Sequence, residues 1–135
     1  DALARSMRKS LAKLDFEPEK IIATFHGMPE KYFAAGDPYH CQCQKTSRLL
    51  REALGIAPDR WLTTFQSRFG NDPWLQPYTD KTVEALAKSG TKRLELVAPG
   101  FSADCLETIE EIEINPLMLK PEGAIAVDAL VRVRI

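Results

Sequence analysis

Three short, almost wholly apolar runs alternate with amphipathic segments, and this order constrains the fold more than anything else in the chain. The runs are KIIATF at 20–25, WLTTF at 61–65 and RLELVA at 93–98. Each is too short for a buried helix and carries β-branched or aromatic residues, so each reads as a strand. Between them lie segments of helical period. Residues 44–54 place Leu49, Leu50, Ala53 and Leu54 inward, with Gly55 as a stop. Thr79 to Ser89 places Val83, Leu86 and Ala87 inward and closes at Gly90. A helix over 2–14 precedes the first strand, with Leu3, Met7, Leu11 and Leu14 on its apolar side. A last helix is expected from Ser102 to about Ile112. The order helix–β–α–β–α–β–α implies parallel strands joined by right-handed crossovers. Strands this apolar require cover on both sheet faces. The fold class is therefore α/β: an open three-layer, Rossmann-like domain with a mostly parallel sheet.

The segment from His26 to His40 contains Gly27, Pro29, Gly36 and Pro38 and reads as a long loop. Loops of that length in compact domains are usually functional. Parallel strands share a carboxyl edge, where open α/β sheets place their sites. Polar residues follow each run at that edge: FHGMPE around His26, FQSRFGNDPWLQPYTD at 65–80, and GFSADCLETIEE around Glu107.

With 135 residues the chain is long enough for one core. A net charge of −1 argues against a nucleic-acid partner. No apolar run approaches the roughly 18 residues of a membrane-spanning helix, so at most peripheral membrane contact is expected. Cys41, Cys43 and Cys105 are an odd number and argue for a reducing, cytoplasmic setting. The chain starts DALARS, without Met, and reads as a fragment, a processed product or an engineered chain.

Residues 1–112 resemble the C-terminal half of ferrochelatase, the enzyme that inserts ferrous iron into protoporphyrin IX in heme biosynthesis. The resemblance rests on FHGMPE, GDPY at 36–39, the P-W-L of Trp74, and the D-C-L-E-T of Glu107. It implies His26 and Glu107 as catalytic residues, and His26, Glu107 and Glu111 as ligands of the iron. A neutral imidazole can take a pyrrole proton or hold the metal. Glu107 also completes a D-x-x-E capping box with Asp104, and cap and catalyst are compatible. Glu111 follows one turn later on the same helical face. Cys105 stands where many family members have His.

A porphyrin is a flat apolar disc with two propionates, and it needs apolar walls with polar anchors at the rim. Trp74 is the wall residue the resemblance suggests, and Tyr32 is a second. Gln66, Ser67 and Arg68 leave the second strand where a propionate or pyrrole would be met, and Arg68 could fork onto a carboxylate. Trp74 lies outside the runs, so its removal is expected to weaken porphyrin binding while the fold survives. Ferrous iron enters as substrate. No iron–sulfur cluster is expected, because the C-terminal cysteines it needs in some ferrochelatases are absent; Cys41 and Cys43 read as inert or structural thiols.

Past residue 112 the pattern changes to strand, Pro-Glu-Gly turn and strand. Residues 113–135 resemble the ATP-grasp segment of acyl-CoA and succinyl-CoA synthetases, whose magnesium positions match Asn115 and Asp128. The nucleotide-binding remainder is missing, and no ATP is expected. The tail is expected to add a C-terminal β-hairpin or an extra strand, with the apolar segment 124–133 pairing with the sheet edge beside 93–98, where an uncovered edge would otherwise invite aggregation.

Intact ferrochelatases hold the porphyrin between two similar α/β domains. The resemblance therefore implies a chain that is inactive by itself, or one that acts as a homodimer or beside a missing N-terminal chelatase domain. Three other readings stand beside this one: a non-catalytic tetrapyrrole- or metal-binding module, a structural chimera, and a fragment related to an ATP-dependent CoA ligase.

Overall fold

The computed structural model describes residues 2–101 and, in the tail, the backbone at 126–127 and 130–134. The elements run α1 (Ala2–Leu11), β1 (Lys20–His26), α2 (Glu30–Ala34), α3 (Tyr39–Leu54), a 3-10 turn (Pro58–Arg60), β2 (Trp61–Gln66), α4 (Thr79–Lys88), β3 (Arg93–Val97), β4 (Ala126–Val127) and β5 (Leu130–Arg134).

β1 is the centre of the parallel sheet. It pairs with β2 from Ile21↔Trp61 to His26↔Gln66, and with β3 from Lys20↔Leu94 to Ala23↔Val97. The sheet order is β2-β1-β3-β5-β4, with β5 antiparallel to β3 and β4 antiparallel to β5. The tail thus covers the β3 edge, as its apolar composition led us to expect. It does so with a hairpin between Ala126–Val127 and Leu130–Arg134.

Alternation along the strands splits the core in two. Ile21, Ala23 and Phe25 of β1 join Trp61, Phe65 and Val97 against Ala4 and Met7 of α1 and Cys43 and Leu50 of α3. Ile22, Leu94 and Leu96 face the other way, against Val83 of α4. Both faces are covered, and each fully buried aliphatic or aromatic side chain contributes about 1.5–3 kcal/mol.

Three local expectations differ from the structure. The segment 26–40 is not one loop: it holds α2, and α3 begins at Tyr39, five residues before the expected 44. The prolines that suggested a loop stand instead at helix starts, Pro29 before α2 and Pro38 before α3. A helix leaves its first amides unpaired anyway, so a residue without N–H is tolerated there. Second, the buried stripe of α3 is Cys43, Ser47 and Leu50, while Leu49 is 46% exposed. The small polar Ser47 belongs inside because its hydroxyl accepts from Trp61 Nε1 at 2.8 Å and pairs with Thr63 Oγ1 at 2.6 Å. Third, α1 ends at Leu11 rather than 14, closing in turns at Lys13 and Leu14. Gly55 stops α3 as expected, at a φ of 70° that permits the left-handed cap. The helix expected from Ser102, and the strand expected before the Pro-Glu-Gly turn, lie outside the described residues.

Candidate active site

The carboxyl edge of the parallel sheet brings His26, Gln66 and the segment after β3 together. His26 and Gln66 are register partners on neighbouring strands. Past β3 the chain reaches Phe101, whose ring lies 6.5 Å from that of His26. The His26 ring is part-buried, and its Nδ1 is 2.7 Å from the Gly27 carbonyl oxygen. A carbonyl can only accept, so in the neutral ring Nδ1 carries the proton and Nε2 carries the lone pair.

Gly27 is required at this point. Its amide donates to the Gln66 carbonyl at 2.6 Å. A Cβ here would stand 2.8 Å from that same oxygen and 3.1 Å from Trp74 Cε3. β1 therefore hands on to a tight tie between 27–30 and 73–75. The Leu75 amide donates to Met28, and the Glu30 amide donates to Pro73, both at 2.9 Å.

Trp74 is part of this tie. It is 6% exposed, bridges Pro29, donates Nε1–H to the Phe69 carbonyl at 3.0 Å, and meets the Phe69 ring edge-on at 4.7 Å. The exposed aromatic of the pair is Phe69, at 68%. Tyr32 is half-exposed on α2 with Lys31 Nζ 5.6 Å from its ring. Its neighbour Phe33 lies with its ring centre 4.8 Å from that of His40, tilted by 58°, and His40 in turn lies 5.6 Å from Phe65.

Gln66 is buried at the end of a hydroxyl chain. Thr64 and Thr79 are 2.9 Å apart, Thr79 and Thr24 are 2.7 Å apart, and Thr24 donates to Gln66 Oε1 at 3.1 Å. Each hydroxyl has one proton, so donation runs one way, from Thr64 to Thr79 to Thr24 to Gln66. All four side chains are buried beneath the start of α4. The chain fixes which side of the amide is the acceptor and leaves the Nε2 end turned away from the threonines.

Ser67 sits at a φ of 62°, a left-handed conformation uncommon for a residue with a Cβ. It turns the chain sharply off β2. Arg68 then folds back on α4: its fork meets Asp80 through two bonds of 2.7 Å, and its guanidinium lies 4.3 Å from the centre of the Tyr78 ring. The Arg68 hydrogen bonds hold the Asp80 carboxyl below its usual range. The Arg68 fork thus has an acid partner within the fold.

Sequence reasoning missed Tyr39 as a site residue, although GDPY was visible. Its hydroxyl donates to the His26 carbonyl at 2.9 Å. It also missed the three threonines, because a run such as WLTTF looks like plain strand.

Glu107, Glu111, Cys105, Asn115 and Asp128 lie outside the described residues. Among the described residues, no group of three or more His, Cys, Asp or Glu could hold a metal ion. Cys41 is exposed; Cys43 is buried, and burial pushes its thiol up. Among the described residues no helix is long and apolar enough to cross a membrane.

Comparison with known proteins points the same way as the edge geometry. The family profile described as ferrochelatase matches residues 1–124. The ferrochelatase of Rhizobium meliloti (strain 1021) is 65% identical over 112 residues, which are 83% of this chain and 33% of that protein. The ferrochelatase of Rhizobium etli (strain CIAT 652) is 62% identical over the same shares. That of Rhodopseudomonas palustris (strain TIE-1) is 63% identical over 112 residues, 83% of this chain and 32% of the relative. The chain thus spans about a third of the length of the curated relatives it matches. With a parallel sheet that ends on His26, and a profile match over nearly its whole length, the chain belongs to the ferrochelatase family.

Proposed function

We propose that this chain supplies the histidine side of a ferrochelatase active site, inserting ferrous iron into protoporphyrin IX. The observation that carries the reading is the His26–Gly27 bond, which leaves Nε2 as the basic nitrogen at the sheet's carboxyl edge. A free-base porphyrin has two inner N–H groups. Nε2 takes a proton from one, and the electron pair left on that nitrogen binds the incoming Fe²⁺. The second inner proton passes to the Glu107 carboxylate, so two protons leave the porphyrin and iron stays divalent throughout. Glu107 and Glu111 then carry protons or the hydrated cation, and with His26, whose Nε2 holds the metal only before it has taken a proton, they are the proposed iron ligands; this assignment rests on the family motif alone.

Around His26, Gln66 and Ser67 are the polar anchors and Tyr32 is an aromatic wall. Arg68 reaches a propionate only by sharing its fork with Asp80. Burial of Trp74 supports a different part for it: it holds the Gly27 turn in place beneath the disc.

The relatives' greater length supports a second chelatase domain opposite this edge, from the remainder of a longer protein or from a homodimer. We further propose residues 1–112 as the chelatase part and 113–135 as a tail that resembles an ATP-grasp segment without binding ATP. Asn115 and Asp128 are then structural. The protein works in the cytoplasm with at most peripheral membrane contact, without an iron–sulfur cluster and without a nucleic-acid partner.

The test is His26→Ala. Iron insertion is expected to fall by at least about 100-fold, the usual lower bound for loss of a general base. Porphyrin binding, followed by fluorescence quenching, should stay within about threefold, because stacking does not need the base. Equal loss of both, or of neither, overturns the role. A native chain that binds porphyrin and never inserts metal, with or without a second domain, is a non-catalytic tetrapyrrole-binding module.

A further inference from the structure

We propose that Tyr39 is a positioning residue that sets the tautomer of His26 through the backbone. The proposal rests on the reading of His26 as the base.

His26 ends β1, where the ladder stops and its carbonyl needs a partner from outside the sheet. The Tyr39 hydroxyl supplies it at 2.9 Å. Tyr39 is placed by the start of α3. Asp37 Oδ1 accepts from the Tyr39 amide at 2.8 Å, an Asx turn that begins just before Pro38 and leads into the helix. The Tyr39 ring packs on the core that holds Phe25 and Cys43, so the hydroxyl is delivered from a fixed base.

The consequence reaches the imidazole. Between the His26 carbonyl and the Gly27 carbonyl there is one peptide unit. The first oxygen is held by Tyr39, and the Gly27 amide is held by the Gln66 carbonyl at 2.6 Å. With both ends of that unit fixed, the Gly27 carbonyl meets His26 Nδ1 at 2.7 Å and keeps the proton there. Without the hydroxyl, the His26 peptide can rotate, the Nδ1–H bond loses its geometry, and the ring gains access to the other tautomer. In that tautomer Nε2 carries a proton and cannot accept one. Tyr39 touches neither iron nor porphyrin in this account; it acts only through His26.

The experiment is nitrogen-15 NMR of histidine-labelled full-length chain, native and Tyr39→Phe, without iron or porphyrin. The chain has only two histidines, so His40→Gln assigns the signals. The native His26 should show a protonated Nδ1 and an unprotonated Nε2. In Tyr39→Phe the two shifts should converge toward a mixture. Iron insertion should fall about 3–10-fold in kcat with KM for porphyrin little changed, the size expected for one lost hydrogen bond. If Tyr39→Phe does not fold, Asp37→Ala displaces the same hydroxyl and should produce the same convergence. An unchanged His26 tautomer in a folded variant overturns the proposal. That readout needs no activity, so it stands apart from the His26→Ala test: normal insertion by His26→Ala would sink the base assignment, whatever the NMR shows.

Discussion

The Gly27 amide donates to the Gln66 carbonyl at 2.6 Å, closing the gap between β1 and β2 one residue past the last paired rung of the sheet. Those two backbones, and not a side-chain cluster, bring the base candidate His26 and the anchor candidate Gln66 side by side. Gly27→Ala is therefore expected to lower stability by about 1–3 kcal/mol, because the new Cβ must push against backbone. Urea denaturation measures it. A midpoint within error of the native chain would mean that the two strand ends separate freely.

Trp74→Ala is expected to cost about 3–5 kcal/mol, the usual range for emptying a buried tryptophan site. The residue is 6% exposed and its Nε1 is bonded. This reverses the expectation from sequence that it could be removed with the fold intact. Thermal melting alongside porphyrin titration separates the alternatives. Weaker porphyrin binding at unchanged melting temperature would return Trp74 to the role of a wall.

Arg68 and Asp80 give an acid-sensitive contribution. Asp80 is held below its ordinary value of 3.8 chiefly by the Arg68 hydrogen bonds. A depressed carboxyl stabilises the fold above its unfolded value, and the stabilisation is lost as pH falls through the folded value. The stability gap between the native chain and Arg68→Ala should therefore be constant above about pH 4 and narrow below it. A gap that is flat down to pH 2 would show that Arg68 acts only through its stacking on Tyr78.

Magnesium-ATP is expected to leave the melting temperature unchanged. A ligand that binds only the folded state must raise it. The tail's described backbone serves as sheet edge, with Leu130–Arg134 antiparallel to β3. A concentration-dependent rise would restore Asn115 and Asp128 as magnesium positions.

The strand runs and their apolar character were legible because a fully buried parallel strand has little choice of residue type. Lys20–His26, Trp61–Gln66 and Arg93–Val97 each fall within one or two residues of the runs in the sequence. The position of His26 was legible for a related reason: the residue after the apolar run KIIATF closes β1 at the carboxyl edge of the sheet. Helix starts were less legible. Pro29 and Pro38 read as breakers, yet each precedes a first helical turn, where a missing amide proton costs nothing. Which residues become partners was decided by tertiary structure alone. Arg68 looks like a propionate fork in the sequence, but the turn at Ser67 folds it onto Asp80. Thr24, Thr64 and Thr79 look like ordinary strand and cap residues, yet together they orient the Gln66 amide. Tyr39 reaches the His26 carbonyl across 13 positions of chain. Periodicity records which face a residue takes; which group it meets depends on how the elements are brought together, and no single element carries that information.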